Sequence, residues 1–196
     1  MSGKLLTLLC VLAVLLSPAM VRADSHREET TPTGWWWYTN VTEAQINTVI
    51  SANGARLVDI EVFSADPLRF TAAFVQNSGV YYEPTWWHPA ADGAVIDSML
   101  AVNDARLIDI EWYDTASGPR LAAVMIDNTG RDAKAWWWYV GTNDEALADA
   151  LLDNEARLVD LESFDAGGTK YAAIMVDNTG ADATDWWYFL GAPAAT

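Results

Sequence analysis

The chain has 196 residues, a single cysteine and a formal charge of −16 at pH 7. So acidic a chain repels polyanions, and its eleven Lys and Arg residues form no basic stripe, which excludes nucleic-acid binding. One cysteine, Cys10, permits no internal disulfide, so stability must come from a hydrophobic core, which a chain of this length can bury.

The first 23 residues read as a cleavable signal peptide. Lys4 supplies the positive start, Leu5 to Leu16 the apolar stretch, and Val21-Arg22-Ala23 a small-residue cleavage site, with Ala19 a second one. The stretch is too short to span a bilayer, which needs roughly 20 apolar residues. Cys10 lies inside it and is wrongly flanked for a lipoprotein cysteine. The expected location is secreted or periplasmic, with no membrane span after signal removal. Residues 24–33, including His26, are polar and aperiodic and read as a flexible tail, as do residues 192–196.

From Gly34 onward the chain repeats itself. Trp35-Trp36-Trp37-Tyr38 returns as Thr85-Trp86-Trp87-His88, Trp136-Trp137-Trp138-Tyr139 and Asp185-Trp186-Trp187-Tyr188, at spacings of 50, 51 and 49 residues. Such a period marks a repeat architecture. After each of the first three aromatic strands comes a helix signal. Thr42, Asp92 and Asn143 are side-chain acceptors at the N-cap, and Thr42 with Gln45 forms a capping box. Ile46, Val49 and Ile50 then fall on one helical face, as do Ile96, Met99 and Leu100, and Leu147, Ala150 and Leu151. Helices of about 11 residues are expected to end at Asn53, Asn103 and Asn154 in the left-handed conformation.

A strand follows, beginning Arg56-Leu57-Val58-Asp59-Ile60-Glu61, with copies at Arg106–Glu111 and Arg157–Glu162. Simple alternation puts Val58 with Ile60 on one face and Asp59 with Glu61 on the other. Loops at Asp66-Pro67, Ser117-Gly118-Pro119 and Gly167-Gly168 turn the chain into return strands that open on Arg69, Arg120 and Lys170. Each return strand closes on an Asn/Gly turn containing Asn77, Asn128 or Asn178, where both residue types can supply positive φ. The expected fold is α+β and β-rich: one domain over residues 34–191, in three tandem units near 34–84, 85–135 and 136–191, as an open stack or a propeller-like ring.

The combination of Ala-Arg-Leu-Val-Asp-Ile-Glu, Ala-Ala-Val-Met-Ile-Asp-Asn and Trp-Trp-Trp-Tyr resembles the bacterial tandem repeat domain, over essentially all of residues 34–191. That repeat is similar to the N-terminal domain of polyglycine hydrolases, secreted fungal proteases whose catalytic serine sits in a separate β-lactamase-like domain. The resemblance implies a β-rich repeat domain with helices. It carries no hydrolase activity here, because the chain has no Ser-x-x-Lys and the matched residues do not include that domain.

Four groups of residues are candidates for chemistry. Trp36, Trp37, Trp86, Trp87, Trp137, Trp138, Trp186 and Trp187 fill two columns that are tryptophan in every copy, and these read as packing between units. The column before them holds Trp35, Thr85, Trp136 and Asp185; a position that accepts aspartate is not a dry one, so Trp35 and Trp136 are the indoles expected to reach solvent and a ligand such as a sugar ring. Arg56, Arg106 and Arg157 recur with Asp59, Asp109 and Asp160 and with Glu61, Glu111 and Glu162. Paired carboxylates suit acid–base catalysis, but one set per unit reads as cross-strand ion pairing with Arg. Asp127-Asn128-Thr129-Gly130 with Asp132, and its copy from Asp177 to Asp182, lack calcium-loop spacing and read as Asx turns, so no metal is assigned. His88 stands in a tyrosine column without a nucleophile beside it. The expected function is a secreted, non-catalytic repeat module with a structural or protein-interaction role and no cofactor. A glycan- or cell-wall-binding module is the alternative, and a hydrolase the least favoured reading.

Overall fold

In the computed structural model of the chain, the described residues are Pro32, 34–130 and 133–191. The signal peptide, all of the N-terminal tail but Pro32, residues 131 and 132, and the tail at 192–196 lie outside them. Strands β1 (Trp35–Val41), β2 (Ala55–Ala65) and β3 (Leu68–Gln76), with helix α1 (Glu43–Asn53), form the first unit. The second holds β4 (Thr85–Ala91), α2 (Gly93–Asn103), β5 (Ala105–Thr115) and β6 (Gly118–Asp127). The third holds β7 (Trp136–Thr142), α3 (Asp144–Asp153), β8 (Ala156–Asp165) and β9 (Thr169–Asp177). Each unit has its own three-stranded antiparallel sheet with the return strand in the centre, in the orders β1-β3-β2, β4-β6-β5 and β7-β9-β8. The fold is thus α+β and β-rich, and no sheet closes into a barrel among the described residues.

The helices form where the caps direct them. Thr42, Asp92 and Asn143 accept from the backbone N–H of Gln45, Val95 and Ala146, and Gln45 returns the bond to the Thr42 backbone. Thr42→Ala is expected to cost about 1 kcal/mol in urea denaturation; a cost near zero would mean tertiary packing alone fixes the start of α1. The left-handed residue at the other end is one position later than the sequence suggests. It is Gly54 (φ 56°) after α1, Asp104 (φ 47°) after α2 and Glu155 (φ 47°) after α3. Asn53, Asn103 and Asn154 do a different job. Each side-chain amide donates to the carbonyl four residues back, of Val49, Met99 and Ala150, and so adds a bond to the last helical turn.

The first long strand does not alternate simply. A register shift between Leu57 and Asp59, repeated at Leu107/Asp109 and Leu158/Asp160, inserts an extra residue at Val58, Ile108 and Val159. A bulge of this kind re-aims everything after it. Leu57 and Ile60 are therefore the pair buried together, and the expected pairing of Val58 with Ile60 is incorrect. Asp59 and Glu61 still share the opposite face.

The core is shared between units. Ile46, Leu57, Ile60, Phe70 and Phe74 form the first cluster, and Tyr113, Ala122, Val124 and Trp87 of the second unit pack into it. Ile96, Leu107, Ile110 and Met125 form the next, joined by Ala172, Ile174, Trp136, Trp138 and Phe164 of the third unit. Leu147, Leu151, Tyr171 and Met175 form the last. Among the described residues no further sheet covers that cluster. Trp186, Tyr188 and Leu190 of the fourth aromatic stretch lie over it instead. This stretch was expected to be a strand, but it pairs with no sheet and acts as a cap.

Candidate functional site

The aspartate column links the units. Asp109 Oδ2 accepts the backbone N–H of Ile60 at 2.9 Å, and Asp160 Oδ2 accepts that of Ile110 at 2.9 Å. In both cases the carboxylate belongs to one unit and the amide to the unit before it. β2 and β5 are edge strands, so the amides of Ile60 and Ile110 can bond outside their own sheet. At the ends of the molecule the series changes. Asp59 is exposed, with no unit before it, and the Leu161 N–H is taken by Oδ1 of its own neighbour Asp160.

The glutamate column converges. One carboxylate oxygen each from Glu61, Glu111 and Glu162 lies within 4.8 Å of the others. These side chains were expected to pair with Arg56, Arg106 and Arg157; the structure instead gathers the carboxylates together. Glu111 is buried, and burial with the charges of Glu162, Glu61 and Asp109 pushes its pKa up to about 10, against a hydrogen bond from Val62. Burial and the charge of Asp160 raise Glu162 to about 7, and Glu111 shares a hydrogen bond with it. Burial raises Asp109 to about 9, helped by Asp160 and Asp59, and raises Asp160 to about 6. Like charges this close cannot all ionise, and a shared proton is the simplest balance. A divalent cation would be another, at a site of three carboxylate oxygens. The arginines gather too. Arg106 has its pKa lowered by burial and by Arg157 and Arg56, with Glu83 opposing.

The aromatic columns separate by position along the chain. Side chains on one face of β4 and β7 turn toward the preceding unit. Trp87 there meets Phe70 edge-on at 5.9 Å and donates its Nε1–H to Asn47. Trp136 and Trp138 pack likewise on the second unit's cluster. Trp136 is therefore half-buried in an interface, not turned to solvent as expected. Trp35 is 70% exposed, as its column suggested, but Trp37 is also 59% exposed and Trp187 78%, so these two are not packing between units. The reasons differ. Trp37 has no preceding unit to pack on, and Trp187 lies on the outer side of the C-terminal cap, whose inner side is Trp186, Tyr188 and Leu190.

Sequence reading overlooked a column that matters as much. Seven residues after each arginine of the first strand stand Phe63, Tyr113 and Phe164. Tyr113 enters the first unit's cluster and donates its hydroxyl to the Pro89 carbonyl, and Phe164 stacks on Trp112 at 4.3 Å. Phe63 is 56% exposed. An aromatic at a fixed offset in every unit was the available signal.

The remaining candidates have local tasks. Asn77, Asn128 and Asn178 do not supply positive φ; Gly79, Gly130 and Gly180 do. Each asparagine side chain instead clamps a six-residue loop, exchanging two hydrogen bonds with the backbone of Glu83, Lys134 or Thr184. The turn is thus a clamped loop leading into the next aromatic stretch. Asp127 and Asp177 accept from Thr129 and Thr179, as Asx turns do. His88 Nδ1 accepts the Ala90 N–H, a backbone contact in the position Tyr38 and Tyr139 otherwise fill. A groove of about 430 Å³ lies between the third sheet and the cap, lined by Leu161, Ser163, Thr169, Tyr171, Phe189 and Leu190. Compared with known protein families, curated proteins and solved structures, the chain finds no match.

Proposed function

We propose that the chain is a secreted, non-catalytic repeat module with a protein-interaction role, built as an open array of three units of about 50 residues. One observation carries this reading. Trp35, Trp37 and Phe63 stand on a sheet face of the first unit whose counterparts in the other two units are covered by a neighbour. Exposed aromatics grouped on one face mark a contact surface. The likeness of the repeat motifs to bacterial tandem repeats supports the array, and a bare first sheet with a capped last one favours an open array over a ring. The carboxylate columns have the bonding of unit-to-unit links, which favours a non-catalytic role.

A photo-crosslinking residue at position 63 tests the reading in the host's extracellular material. It should give a protein adduct, while the same probe at Val102, exposed on α2, gives none. Unmodified chain at both positions would end the proposal.

Trp35 and Trp37 also favour a second reading, glycan binding. They lie two residues apart on one strand face, about 7 Å along it, so both indoles can stack on one saccharide chain. Trp136 is not part of that surface. A panel of soluble polysaccharides should then shift the tryptophan emission, and the double variant W35A/W37A should not respond. A flat response from the unaltered protein removes this reading.

A further inference from the structure

Resting on the interaction reading, we propose that the partner on this face is a second copy of the same chain, docked head to tail. The leading face of one copy, with Phe63, Trp35 and Trp37, sits against the C-terminal end of the next, and Phe63 enters the groove between the third sheet and the cap.

The argument is continuity with two interfaces the molecule already contains. In each, an aromatic from the hairpin of one unit packs into the unit before it. Tyr113 does so beside Ile60, Val62, Leu68 and Phe70, and Phe164 does so in the second cluster. The third member of that column, Phe63, projects from the first unit with no unit before it among the described residues. The third socket exists at the other end. The positions that match Ile60, Val62, Leu68 and Phe70 are Leu161, Ser163, Thr169 and Tyr171, and all four line the groove, which no described residue fills. The cap does not close it, since Phe189 and Leu190 form its far wall.

The backbone repeats the pattern. Ile60 and Ile110 donate to the aspartate of the following unit. A third bond of the series would join Leu161 to an aspartate ahead of it, and Asp59 is the exposed aspartate of that column. Both halves are therefore present at opposite ends of the chain, with Asp160 Oδ1 holding the Leu161 N–H until the aspartate of the next copy replaces it. Trp187, exposed on the outer side of the cap, supplies apolar surface for Trp35 and Trp37. Pairing two leading faces instead would set Asp59 and Glu61 of one copy against the same residues of the other. A head-to-tail contact is heterologous, so it propagates or closes into a ring of copies. Because each copy is strongly acidic, with a formal charge of −16 even before Lys4 and Arg22 are removed, added salt should strengthen the contact by screening.

Sedimentation velocity on the processed protein over a concentration series tests the proposal, at about 0.15 M and about 0.5 M salt. The mass should rise in whole multiples of one chain, more readily at the higher salt. Phe63→Asp disables the leading end and Ser163→Arg the groove, both at exposed positions; each alone should weaken association by at least roughly tenfold. Their mixture should form a one-to-one dimer that grows no further. A protein that stays monomeric throughout overturns the proposal. So does association that survives Ser163→Arg, which would mean face-to-face pairing, or a mixture that stays monomeric while the unaltered protein associates. A monomer whose position 63 still crosslinks to a different protein would end self-docking and leave the interaction reading standing.

Discussion

Raising the pH from about 5 to about 9 should lower the melting temperature by roughly 10–20 °C, opposite to the trend of a protein held by ionised salt bridges. Asp109, Glu111, Asp160 and Glu162 ionise near 4 in an unfolded chain, but their folded values are raised to about 9, 10, 6 and 7. Between these limits the folded state holds more protons than the unfolded one. Their contribution is full below about pH 4 and is lost as the pH climbs through the folded values. One proton retained across four pH units already amounts to about 5 kcal/mol. Calorimetry over a pH series measures this, with Glu111→Gln as the decisive variant. The amide keeps an acceptor for Val62 and a donor for Glu162 without needing a proton from solution. It should raise the melting temperature at pH 8 and flatten the pH profile, while Asp153→Asn, at an exposed site on α3, changes little. A loss of stability at pH 8 in Glu111→Gln, together with a gain by the unaltered protein on adding calcium, would show that the cluster works ionised around a cation.

Asp109→Ala should cost about 2–4 kcal/mol, whereas Asp59→Ala should stay within about 0.5 kcal/mol of neutral. The same residue type in the same column separates by its place in the array. Asp109 is buried and is the acceptor for the Ile60 N–H. Truncating it strands that donor in the core and leaves a void. Asp59 is exposed and bonds to no preceding unit. Asp109→Asn supplies the control, since its amide oxygen can still accept from Ile60 and its charge is gone, so it should be close to neutral or stabilising. Urea denaturation of the three variants reads the difference. Equal costs for Asp59→Ala and Asp109→Ala would mean that the column acts within its own strand and not between units.

How much of this was legible in the sequence depends on the range of the interaction. The caps at Thr42, Asp92 and Asn143 act within four residues, and they could be read directly. The bulge at Val58 could not, because an inserted residue leaves no mark in the composition of an alternating strand and shows only against its partner. It reverses which of Val58 and Leu57 pairs with Ile60. The aspartates were visible as a column, but a column does not say that its members reach into the previous unit. For the same reason the glutamates were matched with cross-strand arginines, when three units bring the carboxylates together. Trp37 and Trp87 stand in the same column, yet Trp37 is exposed and Trp87 half-buried, since only Trp87 has a unit to lean on. Trp136 was misplaced by the converse inference: Asp185, which suggested an open column, belongs to a stretch that has left the sheet pattern.

The direction of the aspartate-to-amide bonds makes the middle of the molecule interchangeable and the ends not. Unit two receives a contact on one side and makes the same contact on the other. A gene that duplicated residues 85–135 in frame would thus encode a longer chain in which every new junction is one the protein already knows how to form. The first and third units have no such freedom, because one carries the bare aromatics and the other the cap. Copy number in such a lineage can drift by insertion or loss at the centre, while its two termini stay fixed.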